Sequence, residues 1–91
     1  MIFTREKTLD AQEMAAYSKE VRPTFEGHGA KFLAVYGKHE DLEGAATEGT
    51  VIVEFPSTAD AKAWYDGPDY RKVREHRFKG ANYHVILIEG V

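Results

Sequence analysis

A chain of 91 residues has room for one domain, residues 1–91, which buries about two thirds of its unfolded surface and so has a thin stability margin. Its 43% hydrophobic and 30% charged residues exclude a disordered chain, and a net charge of −3 argues against nucleic acid and anionic membranes as partners. Absence of cysteine excludes disulfides, thiolate zinc sites and a thiol nucleophile; with no apolar run near the roughly 20 residues of a membrane span and no signal-peptide core in MIFTREKTLD, a cytoplasmic protein is expected.

IFTRE, residues 2–6, is β-prone and leads into a helix at Asp10. Asp10 is placed to cap the first amides while Glu13 reaches back, and Leu9 and Met14 occupy the two positions of a hydrophobic staple. Met14, Tyr17, Val21 and Phe25 then recur at helical spacing, giving an apolar face that packs on a sheet. Pro23 cannot donate its amide and predicts a kink or an early end; GHG at 27–29 stops the helix. KFLAVY (31–36) and TVIVEF (50–55) read as the next two strands. The long connection between them suggests that the second strand continues past a bulge at Gly37.

Pro56 ends the third strand, Ser57 with Asp60 forms a capping pair, and residues 58–66 make a helix with Ala61, Trp64 and Tyr65 facing inward. Gly67 and Pro68 interrupt it. Proline suits a first helical turn, so Pro68 opens another helix whose face continues through Tyr70, Val73 and Arg77. GAN at 80–82 turns the chain into a last strand, YHVILIE, 83–89. The order predicts an α+β, ferredoxin-like βαββαβ domain, a four-stranded antiparallel sheet with helices on one face. The break at 67–68 redirects the second crossover so that Trp64, Tyr65 and Tyr70 meet over the end of the sheet.

The strands also predict a partner. In HVILIE, Val85 and Leu87 take one face and Ile86 and Ile88 the other; VIV at 51–53 and FLAV at 32–35 repeat that failure to alternate. Helices from one chain protect one face only. The economical cover for the second is the same face of another copy, giving an isologous homodimer with its sheets stacked into a two-fold α+β barrel and with Ile52, Ile86 and Ile88 at or near the contact.

GHGAKFLAVYG, LEG at 42–44, VIVEFPSTADAKAWYDGPDYRKVREHR at 51–77 and the closing VILIEG together resemble the bacterial domain of unknown function 1330, within the dimeric α+β barrel superfamily. The resemblance covers nearly the whole chain and implies a ferredoxin-like subunit paired sheet to sheet with a second copy. It carries over no catalytic residue, because that family has no agreed activity. The surrounding superfamily implies cofactor-independent monooxygenases, isomerases and cyclases, heme proteins or ligand sensors, with a site between the sheet and its helices; fold alone does not choose among them.

The chemistry on offer is sparse. Of the four histidines, His76 stands out because Arg77 adjoins it, an imidazole and a guanidinium that together suit acid–base work beside an oxyanion or carboxylate; the plainer reading is a solvated, charged helix. His39, among Glu40, Asp41 and Glu43, lacks metal-ligand spacing, so a solvated loop and no metal is expected. Glu54, interrupting an apolar strand, is expected to pair with Arg5 or to sit exposed at the sheet margin, with the ion pair preferred. RKVREHRFK at 71–79 reads as a solvated face. Tyr17, Tyr36, Trp64, Tyr65 and Tyr70 form an aromatic set that either lines a pocket for a flat organic molecule, with Tyr36 or Tyr70 orienting it, or is core. No phosphate loop, dinucleotide fingerprint or serine elbow is present, so no cofactor is expected. The resulting expectation is a homodimer binding or transforming a small organic molecule, with a purely structural dimer module as the alternative.

Overall fold

Residue preferences settle the elements in the expected order. The computed structural model describes residues 1–91: β1 (Ile2–Thr8), α1 (Ala11–Glu20), a 3₁₀ turn (Arg22–Phe25), β2 (Lys31–Val35), β3 (Gly49–Glu54), α2 (Thr58–Tyr65), α3 (Pro68–Gly80) and β4 (Ala81–Ile86). The strands lie in the order β2-β3-β1-β4 with every neighbouring pair antiparallel. This is the split βαβ arrangement anticipated from the pattern, with the helices packed on one face. No helix is long and apolar enough to cross a membrane.

Asp10 caps α1, its carboxylate accepting from the amides of Gln12 and Glu13. Two details of that helix start differ from expectation. Glu13 does not reach back; the Asp10 amide instead donates to the Gly80 carbonyl at 3.0 Å, as the Leu9 amide does at 2.7 Å. Leu9 remains 56% exposed, so it adds little as a staple. The same approach explains Gly80: a Cβ there would stand 2.8 Å from Met14 Sδ and 3.1 Å from the Met14 amide nitrogen. Pro23 ends the α-helix as anticipated, and the chain tightens into the 3₁₀ turn.

Strand limits shift for physical reasons. β2 stops at Val35, and its irregularity falls between Phe32 and Ala34 rather than at Gly37, because Tyr36 leaves the strand in the left-handed region (φ 51°). β4 begins at Ala81 and ends at Ile86, its pairing running out where β1 does, at Ile2. Glu54 is exposed, and Arg5 pairs with Glu48 at 3.2 Å instead. Ser57 caps α2, its hydroxyl oxygen accepting from the Asp60 amide at 3.1 Å. Pro68 opens α3 behind Gly67.

That break brings the aromatic residues together. The Trp64 ring stacks on Tyr70 at 4.0 Å and on Phe25 at 4.3 Å, with the Phe3 ring edge-on at 6.0 Å. Trp64 Nε1–H donates to Thr24 Oγ1 at 3.0 Å, and the Thr24 hydroxyl donates to the Val21 carbonyl. Phe3, Val53, Met14, Tyr17, Val73 and Ala81 complete the core. On the opposite face Ile52, Ile2 and Ile86 stand side by side across β3, β1 and β4.

Trp64→Ala should cost about 3–5 kcal/mol, the range for large core aromatics, measured by denaturant titration; a loss under about 1 kcal/mol would make the ring peripheral. Thr24→Val, which leaves the indole N–H buried without an acceptor, should cost about 1–3 kcal/mol in the same assay.

Candidate functional site

The helix layer covers the middle of the sheet and leaves an opening near each edge. Beside β2 lies a cavity of about 200 Å³. Phe3, Val51 and Tyr83 form its sheet side, Tyr17 and Val21 come from the α1 segment, and Phe25 and Phe32, packed against each other edge to face at 4.9 Å, add to its lining. Tyr36 closes its margin. The left-handed backbone of Tyr36 sends its ring back over β3, where Gly49 makes room: a Cβ on Gly49 would lie 2.4 Å from the ring. The Arg5 guanidinium sits 4.7 Å from the ring centroid, and the Tyr36 and Tyr83 hydroxyls are 2.5 Å apart. Glu48, which faces Arg5, accepts from the Thr8 amide and hydroxyl, and those bonds hold its carboxyl below the usual range.

At the other edge, beside β4, a more open cleft of about 390 Å³ is lined by Tyr65, Arg77, Phe78, Asn82, Tyr83 and Val85. A row of polar groups runs under the helices between the two openings. Arg77 Nε–H donates to the Tyr70 hydroxyl at 3.2 Å, Nη2–H donates to the Tyr65 hydroxyl at 3.4 Å, and the Tyr70 and Tyr17 hydroxyls are 2.8 Å apart. Burial raises the pKa of Tyr17, with Tyr70 adding to the effect, and burial likewise raises those of Tyr70 and Tyr83.

The sequence-derived candidates therefore divide. Tyr17 and Tyr36 border the β2-side cavity, Tyr65 and Arg77 border the β4-side cleft, and Trp64 and Tyr70 fill the core between them. His76 and Arg77 do not converge. His76 turns toward α1, its Nδ1 2.6 Å from a Glu13 carboxylate oxygen and its Nε2 3.1 Å from one of Glu20. Arg77 is buried, which departs from the solvated face expected of residues 71–79. His39 Nε2 lies 3.2 Å from the Thr47 carbonyl and 3.6 Å from Asp41; with the Thr47 hydroxyl donating to Asp41 at 2.7 Å these bonds close the β2–β3 loop. No three His, Cys, Asp or Glu side chains gather as a metal site. Sequence reasoning missed Tyr83, which borders both openings; the available signal was its strand parity with Ala81 and Val85.

Sheet order and one-sided helices define a ferredoxin-like α+β protein. Within that class, the chain belongs to the family described as domain of unknown function (DUF1330), which it matches over residues 1–91. A crystal structure of a protein of unknown function from Rhodopseudomonas palustris, a structural genomics target, shares the fold with a TM-score of 0.78 at 22% identity, over 99% of this chain and 80% of that one. No curated protein matches the sequence.

The buried tyrosines carry a pH dependence. Tyr17, Tyr70 and Tyr83 hold their protons more tightly when folded than the ordinary value of 10.0, so above that pH the unfolded chain binds fewer protons and stability falls as pH rises. Denaturant midpoints should drop through this alkaline range, and Tyr17→Phe should flatten the slope. A wild-type midpoint that stays constant until all five tyrosines have ionised, read by phenolate absorbance, would contradict the placement of these rings.

Proposed function

We propose that the chain is a small-molecule-binding subunit of a homodimer whose β2-side cavity takes a single-ring, mainly apolar compound. The observation that carries this is the cavity itself, about 200 Å³ and bordered chiefly by aromatic and aliphatic side chains. An engineered apolar cavity of about 150 Å³ in another protein binds benzene, so one ring is the matching size. The Tyr36 and Tyr83 hydroxyls at its margin supply a donor and an acceptor for one oxygen on the ligand. An enzymatic reading assigns acid–base work to His76 and anion stabilisation to Arg77. Binding is favoured over it because His76 spends both ring nitrogens on Glu13 and Glu20, away from that cavity.

Pairing through the outer sheet face is supported by the isoleucine row. Ile86 is 40% and Ile88 64% exposed in one chain, and Leu33 on the opposite edge strand is 54% exposed; fully burying a large aliphatic side chain gains about 1.5–3 kcal/mol over leaving it in water. A second copy offers the same apolar surface by two-fold symmetry.

Titrating isotope-labelled protein with phenol should give saturable amide shifts around Val21, Phe32 and Val51, and Val51→Phe, which fills the space, should abolish them. Failure of phenol, toluene and anisole alike to give saturable shifts would leave the structural dimer module as the better reading. Light scattering at micromolar concentration should report a dimer that Ile86→Lys weakens; a folded 10.3 kDa wild-type monomer would refute the pairing.

A further inference from the structure

Arg77 is the single charged residue among the buried ones, 4% exposed, and it forms no ion pair with any carboxylate of the chain. Its immediate company is neutral: the hydroxyls of Tyr70 and Tyr65 and the rings of Phe78, Tyr83 and Phe3, whose centroids lie 4.9, 5.1 and 5.8 Å from its Cζ. A guanidinium carries five N–H donors, and these two hydroxyls engage only part of them. Aromatic faces return some of the cost of burying the cation. They leave its charge unanswered, and an unpaired buried charge is expensive.

The cleft that Arg77 borders has the complementary chemistry. Phe78, Tyr83 and Val85 offer apolar surface, Asn82 offers an amide, and Arg77 is the only charged side chain lining it. Arg74 backs the same wall, its Cζ 5.0 Å from the Tyr65 ring and 5.7 Å from the Phe78 ring, with only the largely exposed Asp66 as counter-charge at 3.5 Å. Arg77 is thus the one charge at the cleft without a carboxylate counter-charge, in a chain of net charge −3.

We propose that this cleft is a recognition site for a small aromatic carboxylate. The carboxylate takes the N–H groups of Arg77 left free by the tyrosines, a planar match that guanidinium makes well, and the ring lies against Phe78, Tyr83 and Val85. One lining cation and an apolar wall suit a monoanion on a flat ring better than a phosphate, which needs more donors. The site stands apart from the β2-side cavity, with which it shares only Tyr83 among its lining residues, and it does not depend on that cavity being occupied.

Benzoate and its neutral isostere benzamide, each titrated into the isotope-labelled full chain, test the assignment. Benzoate should give saturable shifts centred on Phe78 and Asn82 rather than on Val21 and Phe32, at least about tenfold tighter than benzamide and weaker in added salt. Arg77→Met, if folded, should lose at least about tenfold in benzoate affinity. The proposal fails if benzoate gives no saturable shifts there, if benzamide binds equally well, or if folded Arg77→Met binds benzoate unchanged. Should that variant not fold, the benzoate-to-benzamide ratio on the wild-type chain decides alone. Phenol binding at the other cavity leaves this outcome unaffected, so the two sites stand or fall separately.

Discussion

The indole of Trp64 holds the helix layer together. Phe25 from the turn after α1 takes one face and Tyr70 from α3 the other, Phe3 of the central strand meets its edge, and Thr24 accepts its N–H. Stacked and edge-on pairs add about 0.5–1.5 kcal/mol each beyond buried area. More to the point, they fix how three helical segments sit over β1, since moving any one of them opens a gap against a large rigid ring.

Both openings follow from that constraint. For Phe25 to reach the indole, α1 must end early and the chain must tighten through Pro23, which leaves the helix side of β2 without an α-helix above it; the β2-side cavity is that uncovered strip. On the other side, the break at Gly67 and Pro68 turns α3 until Tyr70 lies on Trp64. Tyr70, Val73, Arg77 and Gly80 share one buried stripe, so a helix oriented to stack Tyr70 also carries Arg77 beneath the layer. The position of the guanidinium is thus a consequence of helical periodicity and aromatic packing.

Much of this was legible in the chain because it rests on local chemistry. The Asp10 and Ser57 caps, the stop at Pro23 and the restart at Pro68 each depend on one residue's backbone preference, and each stands where the pattern placed it. What was not legible depends on distant partners. Glu13 looked like a capping residue because His76, which binds it, lies far along the chain. Arg5 looked available to Glu54 because the loop that brings Glu48 to it has no regular pattern. Arg77 sits within a basic run, RKVREHRFK, where composition says solvent while the apolar stripe says core. The helical face was the sounder guide there, and it gave no hint that the buried cation would lack a carboxylate. Tyr36 shows the same limit: Gly37 suggested a bulge with the strand continuing beyond it, whereas the chain leaves the strand at Tyr36, and only the spatially neighbouring glycine at position 49 shows that the ring folds back over the sheet.

The joint at Gly80 bears on how the molecule assembles. Its carbonyl receives the amides of both Leu9 and Asp10, tying the last turn of α3 to the first of α1, while central β1 pairs with β3 and β4. The amino-terminal segment thus finds its neighbours only after most of the chain has been made. During synthesis, Phe3, Met14 and Tyr17 emerge with no core to enter, since Val53, Trp64, Tyr70 and Ala81 follow later. Such non-local closure is slow compared with helix formation and leaves apolar surface open in the meantime. No half of the domain has a complete core of its own: β1 can pair with β3 once that strand is made, but gains its second neighbour only when β4 arrives, and folding is expected to proceed as one late, concerted event.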